Sequence, residues 1–330
     1  MADRYDAPRR MGDGTNAGRD TDPIFIHGIL PRSGTNYLSD LLLLHPDCAA
    51  PVEPVHEDLF LDRSDRLMGF VDDVIGAWDP KWGDVTEDVR ARLYAALGGG
   101  LVRFLQTDPE RRLVSKSPSV RHLGRFFTLF PGAHLLLLVR DGRAVTRSAM
   151  DTFGWSFERA ARAWAGAADE IERFRRGHPD ASRRWTLLRY EDLVNDLDAT
   201  MTSVLRALDL DPDAYDLGAA RRLPVRGSSF YFGADRSSVH WEPVPPGPGF
   251  APADRWRDWD RVALDRFEWL AGAQLRDLGY PMHRSGRSPA ETARHLGKDI
   301  AWAAREAFGA VRAAAASTSR PFRRRLGSVR

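Results

Sequence analysis

Four short apolar runs show almost no alternation with polar residues: Ile24 to Ile29, Leu113 to Ser115, His134 to Val139 and Trp185 to Leu188. Runs this short and this apolar read as strands covered on both faces, the pattern of a parallel sheet between helices. Between them the apolar positions fall on a helical period. Asn36 to Leu44 follows that period until His45-Pro46 stops it, and Trp155 to Phe174 buries Trp155, Ala163 or Trp164, Ala167, Ile171 and Phe174. Residues 60–112 read as helical with an interruption at Gly98-Gly99-Gly100, and Trp256 to Tyr280 as a closing helix. Strands alternating with helices predict an α/β domain of three layers.

The segments that break these periods divide the chain. Residues 1–22 are polar, lack the apolar run of a signal peptide and read as a disordered leader. His45 to Leu59 holds three prolines and reads as a loop, in which Glu57 and Asp58 are expected to be solvated. Val74 to Gly83 reads as a loop whose Trp78 and Trp82 are expected to pack in the core, lining an acceptor pocket being the other reading. Pro224 to Gly249, rich in Gly, Pro and Ser, is long enough for a lid. The main domain therefore spans residues 23–285, and residues 286–330 form a basic amphipathic tail. This tail has ten Lys/Arg against three acids, and a helix from about Ala290 to Ala316 would align Leu296, Ile300, Ala303, Ala307 and Val311. Three roles stay open for it: docking on its own domain, lying on an acidic membrane surface, or projecting as a solvated appendage that meets a partner.

Composition narrows the picture. With 330 residues, 43% hydrophobic and 28% charged, the chain has ample material for a core. The formal net charge of +2 gives no nucleic-acid signature. The single cysteine, Cys48, excludes an intramolecular disulfide and a thiolate zinc cluster and suits the cytoplasm, with the tail as the route to peripheral membrane contact. No run approaches the length of a membrane-spanning helix.

Candidate chemistry concentrates at strand ends. After Ile24–Ile29, Pro31-Arg32-Ser33-Gly34-Thr35 leads into a helix, and strand, glycine loop and helix together bind phosphate through the free amides and dipole of the first helical turn. A nucleoside-triphosphate loop ends in Gly-Lys-Ser/Thr; here Gly34 is followed by Thr35 and Asn36, and the cation, Arg32, precedes the glycine. Lys116 follows the second strand. Arg140 and Ser148, in RDGRAVTRS, follow the third and offer a guanidinium fork and a hydroxyl to a phosphate. Arg143 and Arg147 of the same segment are expected to pair with surface acids. Tyr190 follows the fourth strand, with Glu191 and Asp192 suited to the positive end of the next helix.

Four motifs in this order, PRSGTNYL, Lys-Ser-Pro, RDGRAVTRS and RYEDL, resemble those of sulfotransferases that use 3′-phosphoadenosine 5′-phosphosulfate (PAPS), protein-tyrosine and carbohydrate sulfotransferases among them. The resemblance covers roughly residues 23 to 280 and implies a P-loop-like fold with a central parallel sheet flanked by helices. It implies that Arg32, Ser33, Gly34, Thr35, Asn36 and Tyr37 hold the 5′-phosphosulfate. Lys116 would reach the transferring sulfuryl group, Arg140 and Ser148 would hold the 3′-phosphate, and Tyr190 would lie near the nucleotide. Arg226, Gly227 and Ser228, in the late loop, would add to the 3′-phosphate site. In similar enzymes a catalytic Glu stands eight residues after the His of a His-Pro-Asp, a step repeated here from His45 to Glu53; His56 is the reserve candidate for the base.

The reaction so implied moves a sulfuryl group in line from PAPS to a hydroxyl on a small molecule, carbohydrate, lipid or peptide, leaving adenosine 3′,5′-bisphosphate (PAP). Glu53 is the expected general base, Arg32 and Lys116 stabilise charge, and no metal is required. Two rival classes are a P-loop phosphotransferase, which would need the missing Gly-Lys-Ser/Thr, and a non-catalytic nucleotide-binding protein, if Glu53 and Lys116 are incidental.

Overall fold

In the computed structural model the described residues are 21–179, 184–226, 229–230, 239–240, 243–244, 254, 256–283 and 286–318. Five strands, β1 (Ile24–Gly28), β2 (Cys48–Ala49), β3 (Arg112–Ser117), β4 (His134–Val139) and β5 (Trp185–Arg189), form one sheet in the order β2-β3-β1-β4-β5, with every neighbouring pair parallel. The helices are α1 (Thr35–Leu42), α2 (Ser64–Gly76), α3 (Glu87–Leu105), α4 (Phe126–Leu129), α5 (Gly142–Phe153), α6 (Phe157–Gly177), α7 (Tyr190–Asn195), α8 (Leu197–Ala207), α9 (Leu217–Arg222), α10 (Arg261–Asp277) and α11 (Pro289–Thr318).

Every residue of β1 and β4 is buried, as their nearly unbroken apolar runs require. The pleat sends alternate side chains to opposite faces. Ile24, Ile26, Leu136 and Leu138 join a cluster with Leu38 and Leu41 of α1 and Met201, Val204 and Leu205 of α8. Phe25, Leu135, Leu137 and Val139 join a second cluster with Phe126 of α4, Trp164 and Phe174 of α6, and Phe267 and Leu275 of α10. Helices thus cover both faces, giving the three layers. β1 lies between β3 and β4, so the strand order reverses at its carboxyl end, where open parallel sheets place their ligands.

Some local expectations change. The glycines at 98–100 do not interrupt α3, which runs 19 residues. Gly98 lies against the backbone of Leu129, where a Cβ would overlap the carbonyl, so the absent side chain permits close approach to α4. Trp164, not Ala163, is the fully buried residue of α6, and Trp155 precedes the helix half-buried. Trp82 is 77% exposed and Trp78 36%, so neither packs in the core; both border a cleft with Ile75 and Val89. The late Gly/Pro-rich segment contains short antiparallel pairs, β6 (Val225–Arg226) with β9 (Pro243–Val244) and β7 (Ser229–Phe230) with β8 (Val239–His240). β6 runs beside α1 and β7 beside α5.

α11 is tied to the body by its polar side. His295 is 3% exposed and pairs with Asp265 of α10 at 2.7 Å. Asp299 accepts from Arg266 at 2.7 Å, from Arg162 at 2.5 Å and from Trp269 Nε1 at 2.8 Å. Arg266, itself 3% exposed, also forks onto Glu158 at 2.6 and 2.9 Å. Of the three roles open to the tail, its first half takes docking. Among the described residues no helix is long and apolar enough to cross a membrane.

Candidate active site

The loop between β1 and α1 is held in an unusual backbone path. Ile29 N continues the ladder to Leu138 O at 2.9 Å, and Ser33 N then turns back to Leu30 O at 3.2 Å. Arg32 and Gly34 both have positive φ, 80° and 101°. Glycine is required at 34 twice over, because a Cβ there would also strike the Tyr190 ring. Arg32 has no such freedom, and its left-handed backbone costs roughly 1–2 kcal/mol that surrounding contacts must offset. Those contacts exist. Arg140 Nη1 donates to the Arg32 carbonyl at 2.6 Å, and Arg32 Nε donates to Ser148 Oγ at 3.0 Å.

Gly34 caps α1 without a side chain, so the first-turn amides of Thr35, Asn36 and Tyr37 have no capping acceptor and no intrahelical carbonyl. Ser33 Oγ is buried beside them with no hydrogen-bond partner among the described residues. A buried donor left open next to free amides and a helix N-terminus is the arrangement a multiply charged oxyanion satisfies. Tyr37 contributes only its amide to this loop, because its side chain packs in the apolar cluster under α1.

The ends of β4 and β5 lock onto this loop. Arg140 leaves β4 with its guanidinium 4.6 Å above the Tyr190 ring, and its carbonyl accepts from Trp164 Nε1 at 3.1 Å. Asp141 caps α5 by accepting from Arg143 N at 2.9 Å. Glu191 Oε1 accepts from Asp141 N at 2.9 Å while its Oε2 accepts from Tyr280 OH at 2.9 Å. Burial pushes both the Glu191 carboxyl and the Tyr280 hydroxyl up from their usual pKa values. Glu191 is thus a clasp between two strand ends, beyond the dipole role expected of it.

Arg143 departs from expectation. It is fully buried and not on the surface: it grips Asp141 at 2.6 and 2.9 Å, donates to Pro281 O at 3.0 Å and stacks 3.9 Å from Trp256. Arg147 does pair with surface acids, Asp151 at 3.1 Å and Asp258 at 3.3 Å.

Beside the loop lies a cleft of about 380 Å³ whose lining includes Asn36, Asp40, Glu53, His56 and Lys116. Lys116 Nζ donates to the His56 carbonyl, and Asp58 N donates to Lys116 O at 3.1 Å, which straps the Pro-rich loop along β3. Asp58 is buried, not solvated: it accepts from Phe60 N at 3.0 Å and from Ser115 Oγ at 2.7 Å. Glu57 is half-buried, and burial raises its carboxyl pKa. Burial lowers the Lys116 ammonium, with the Glu57 charge opposing that drop. Glu53 and His56 are exposed on the cleft wall. His45, from which Glu53 is counted, is a structural residue: buried, bonded to Asp211 O at 3.0 Å and accepting from Asp47 N at 3.1 Å.

The fold therefore brings Arg32, Ser33, Gly34, Arg140, Ser148 and Tyr190 into one cluster, with Lys116, Glu53 and His56 on the adjoining cleft. The Arg226 side chain, Gly227 and Ser228 lie outside what the structure describes. Sequence reasoning passed over Asp40, although Asn36, Ser39, Asp40 and Leu43 recur at helical spacing and line the cleft together. No cluster of three or more metal-binding side chains occurs among the described residues.

A parallel α/β sheet with a glycine loop and a helix N-terminus at its switch point, and two arginines and a lysine beside it, is a P-loop-like fold suited to an anionic ligand. The sequence pattern of the sulfotransferase family matches residues 23–214, and the chain belongs to that family. No curated protein matches it. Among solved structures it is similar to the sulfotransferase domain of the Synechococcus olefin synthase, with a TM-score of 0.50, 21% identity, and 81% of this chain and 98% of that one covered. It also resembles the sulfotransferase domain of the curacin biosynthetic pathway, at a TM-score of 0.48 and 19% identity over 80% of this chain and 100% of that one. A mouse sulfotransferase complexed with PAP matches at a TM-score of 0.43 and 14% identity, over 79% of this chain and 88% of that one.

Proposed function

We propose that the chain transfers a sulfuryl group from PAPS to an acceptor hydroxyl on a small molecule, carbohydrate, lipid or peptide. The observation that carries this reading is the convergence of Arg32, Arg140, Ser148 and Tyr190 on the β1–α1 loop, with Lys116 beside it. Family membership supplies the sulfuryl chemistry; the second phosphate of PAPS is what gives Arg140 and Ser148 a purpose as a pair. PAPS, when bound, supplies an activated sulfuryl group whose leaving group is PAP.

The first-turn amides of α1 and Ser33 Oγ would hold the 5′-phosphosulfate. Arg140 and Ser148 would hold the 3′-phosphate, and Tyr190 would present its ring at the nucleotide. The nearness of β6 to α1 and of β7 to α5 supports the reading that Arg226, Gly227 and Ser228 would add to the 3′-phosphate site. Lys116 and Arg32 set positive charge beside the loop, where charge grows as the phosphate oxygen departs. Glu53, on the cleft wall, would take the acceptor's proton as the new bond to oxygen forms, with His56 the other base on the same wall.

Incubation with PAPS labelled in its sulfuryl group tests this reading. Label should pass to an added hydroxyl acceptor, or slowly to water, and continue in the presence of chelator. ATP should donate nothing, because Gly34 is followed by Thr35-Asn36 and not Lys-Ser. Phosphoryl transfer from ATP that chelator abolishes would move the protein to the phosphotransferases. Binding of PAP without any turnover of PAPS would leave it a nucleotide-binding protein.

A further inference from the structure

α11 is amphipathic in the opposite sense from an ordinary surface helix. Its polar residues His295 and Asp299 face the body, and Trp302 stacks near Arg162. Its apolar residues face out: Leu296 is 50% exposed, Ile300 71%, Phe308 65% and Val311 66%. These four share one side of the helix, with the exposed Ala303 and Ala307 between them, over about 22 Å at 1.5 Å per residue. A soluble helix normally buries such a stripe.

Along one border of the stripe the charge is of one sign, while the exposed Glu306 lies on the other border. Arg294, Lys298, Arg305 and Arg312 are all exposed and fall on one line along the helix, between the apolar side and the docked side. Of the three acids after residue 285, Asp299 is held by Arg162 and Arg266, and Glu291 caps the helix by accepting from Ser288 N at 2.8 Å. Beyond Glu306 the sequence contains no acid, and it adds Arg320, Arg323, Arg324, Arg325 and Arg330.

We propose that α11 is an interfacial anchor, docked through its His295–Asp299 side and laying the Leu296–Val311 stripe into an anionic phospholipid surface. The apolar side chains enter the acyl boundary while the arginine and lysine line meets the phosphate headgroups. A second copy of this chain is the less fitting occupant, because its basic line would be brought up to an equally basic one. Among the described residues no helix can span the bilayer, so the contact is on the membrane and not across it.

Vesicle co-sedimentation of the full chain tests the idea. Wild type should sediment with phosphatidylcholine vesicles holding about 30% phosphatidylserine and remain in solution with phosphatidylcholine alone, since the surface potential comes from the anionic lipid. Leu296→Gln, Ile300→Gln and Phe308→Gln together should weaken partitioning at least tenfold while leaving the melting temperature unchanged, because all three positions are exposed. Arg294→Gln, Lys298→Gln, Arg305→Gln and Arg312→Gln together should sharply reduce the dependence on anionic lipid. Unchanged partitioning of the apolar triple variant would overturn the proposal. So would failure of wild type to bind either vesicle, or a concentration-dependent dimer that the triple variant abolishes, the last assigning the stripe to a second copy.

Discussion

Arg140 Nη1 donates to the backbone carbonyl of Arg32 at 2.6 Å, across 108 residues of sequence. The side chain proposed for the 3′-phosphate thereby holds the left-handed residue of the β1–α1 loop in place. The two halves of the proposed nucleotide site are mechanically one. Arg140→Lys keeps the charge but loses the fork that spans Arg32 and a phosphate, and should weaken PAP binding by about 1.5–3 kcal/mol. Calorimetry of wild type with PAP and with AMP is the companion measurement. Equal affinity for the two nucleotides would remove Arg140 and Ser148 from the 3′-phosphate role.

Gly34→Ala places a methyl group at φ 101° and against the Tyr190 ring. The variant should lose roughly 1–3 kcal/mol of stability, the cost of a strained backbone position. Adding Tyr190→Ala should recover the steric part alone, leaving the double variant still below Tyr190→Ala. Denaturant melts of the four proteins give the cycle. Full recovery in the double variant would mean that backbone conformation at 34 is unimportant.

Glu53→Gln keeps the shape of the side chain and removes its basicity. Turnover should fall by about 10²–10⁴-fold, the worth of a positioned base, with PAP affinity hardly changed. His56→Asn should cost far less. The reverse ranking would make His56 the base, and silence of both variants would place it elsewhere on the cleft.

Lys116 gives a pH signature. Burial depresses its ammonium pKa in the folded chain, so the unfolded chain binds more protons between that value and about 10.4, the ordinary lysine value. Stability then rises with pH across that window. Wild type should therefore gain on Lys116→Met as pH climbs through the alkaline range, the difference levelling off above about 10.4. Paired melts at neutral and alkaline pH read it, and a gap that stays constant would mean Lys116 titrates alike in both states.

Deleting residues 286–330 takes Asp299 from Arg266 and His295 from Asp265, in a setting where Arg266 is 3% exposed. Arg266 keeps Glu158, but the buried Asp265 loses both His295 and Arg287, so the expected loss is several charge-assisted bonds at about 1.5–3 kcal/mol each. PAP affinity should be retained, because the residues proposed to hold the nucleotide all precede position 286. Melting and calorimetry on the truncated chain separate the two effects.

The sheet was legible because its strands are buried on both faces, which writes a nearly unbroken apolar run into β1 and β4. β2 was not, since two residues, Cys48 and Ala49, carry no period. The cluster around Arg32 was legible through motif order at strand ends. Arg143, Asp58 and α11 were misjudged or left open for one shared reason. Each is held by polar contacts in the interior: Arg143 by Asp141, Asp58 by Ser115, and the α11 face by Arg266 and Asp265. Hydrophobic periodicity registers apolar burial only, so it pointed to the outward side of α11 and was blind to the docked one.

The central place of β1 bears on biosynthesis. Of the five strands of the sheet this one is made before the others, yet its neighbours begin at Arg112 and His134. Until both are made, a largely apolar strand waits with two open hydrogen-bonding edges, the condition under which nascent chains aggregate. The same arrangement that puts the β1–α1 loop at the middle of the sheet leaves β1 without both of its neighbours until β4 has been made.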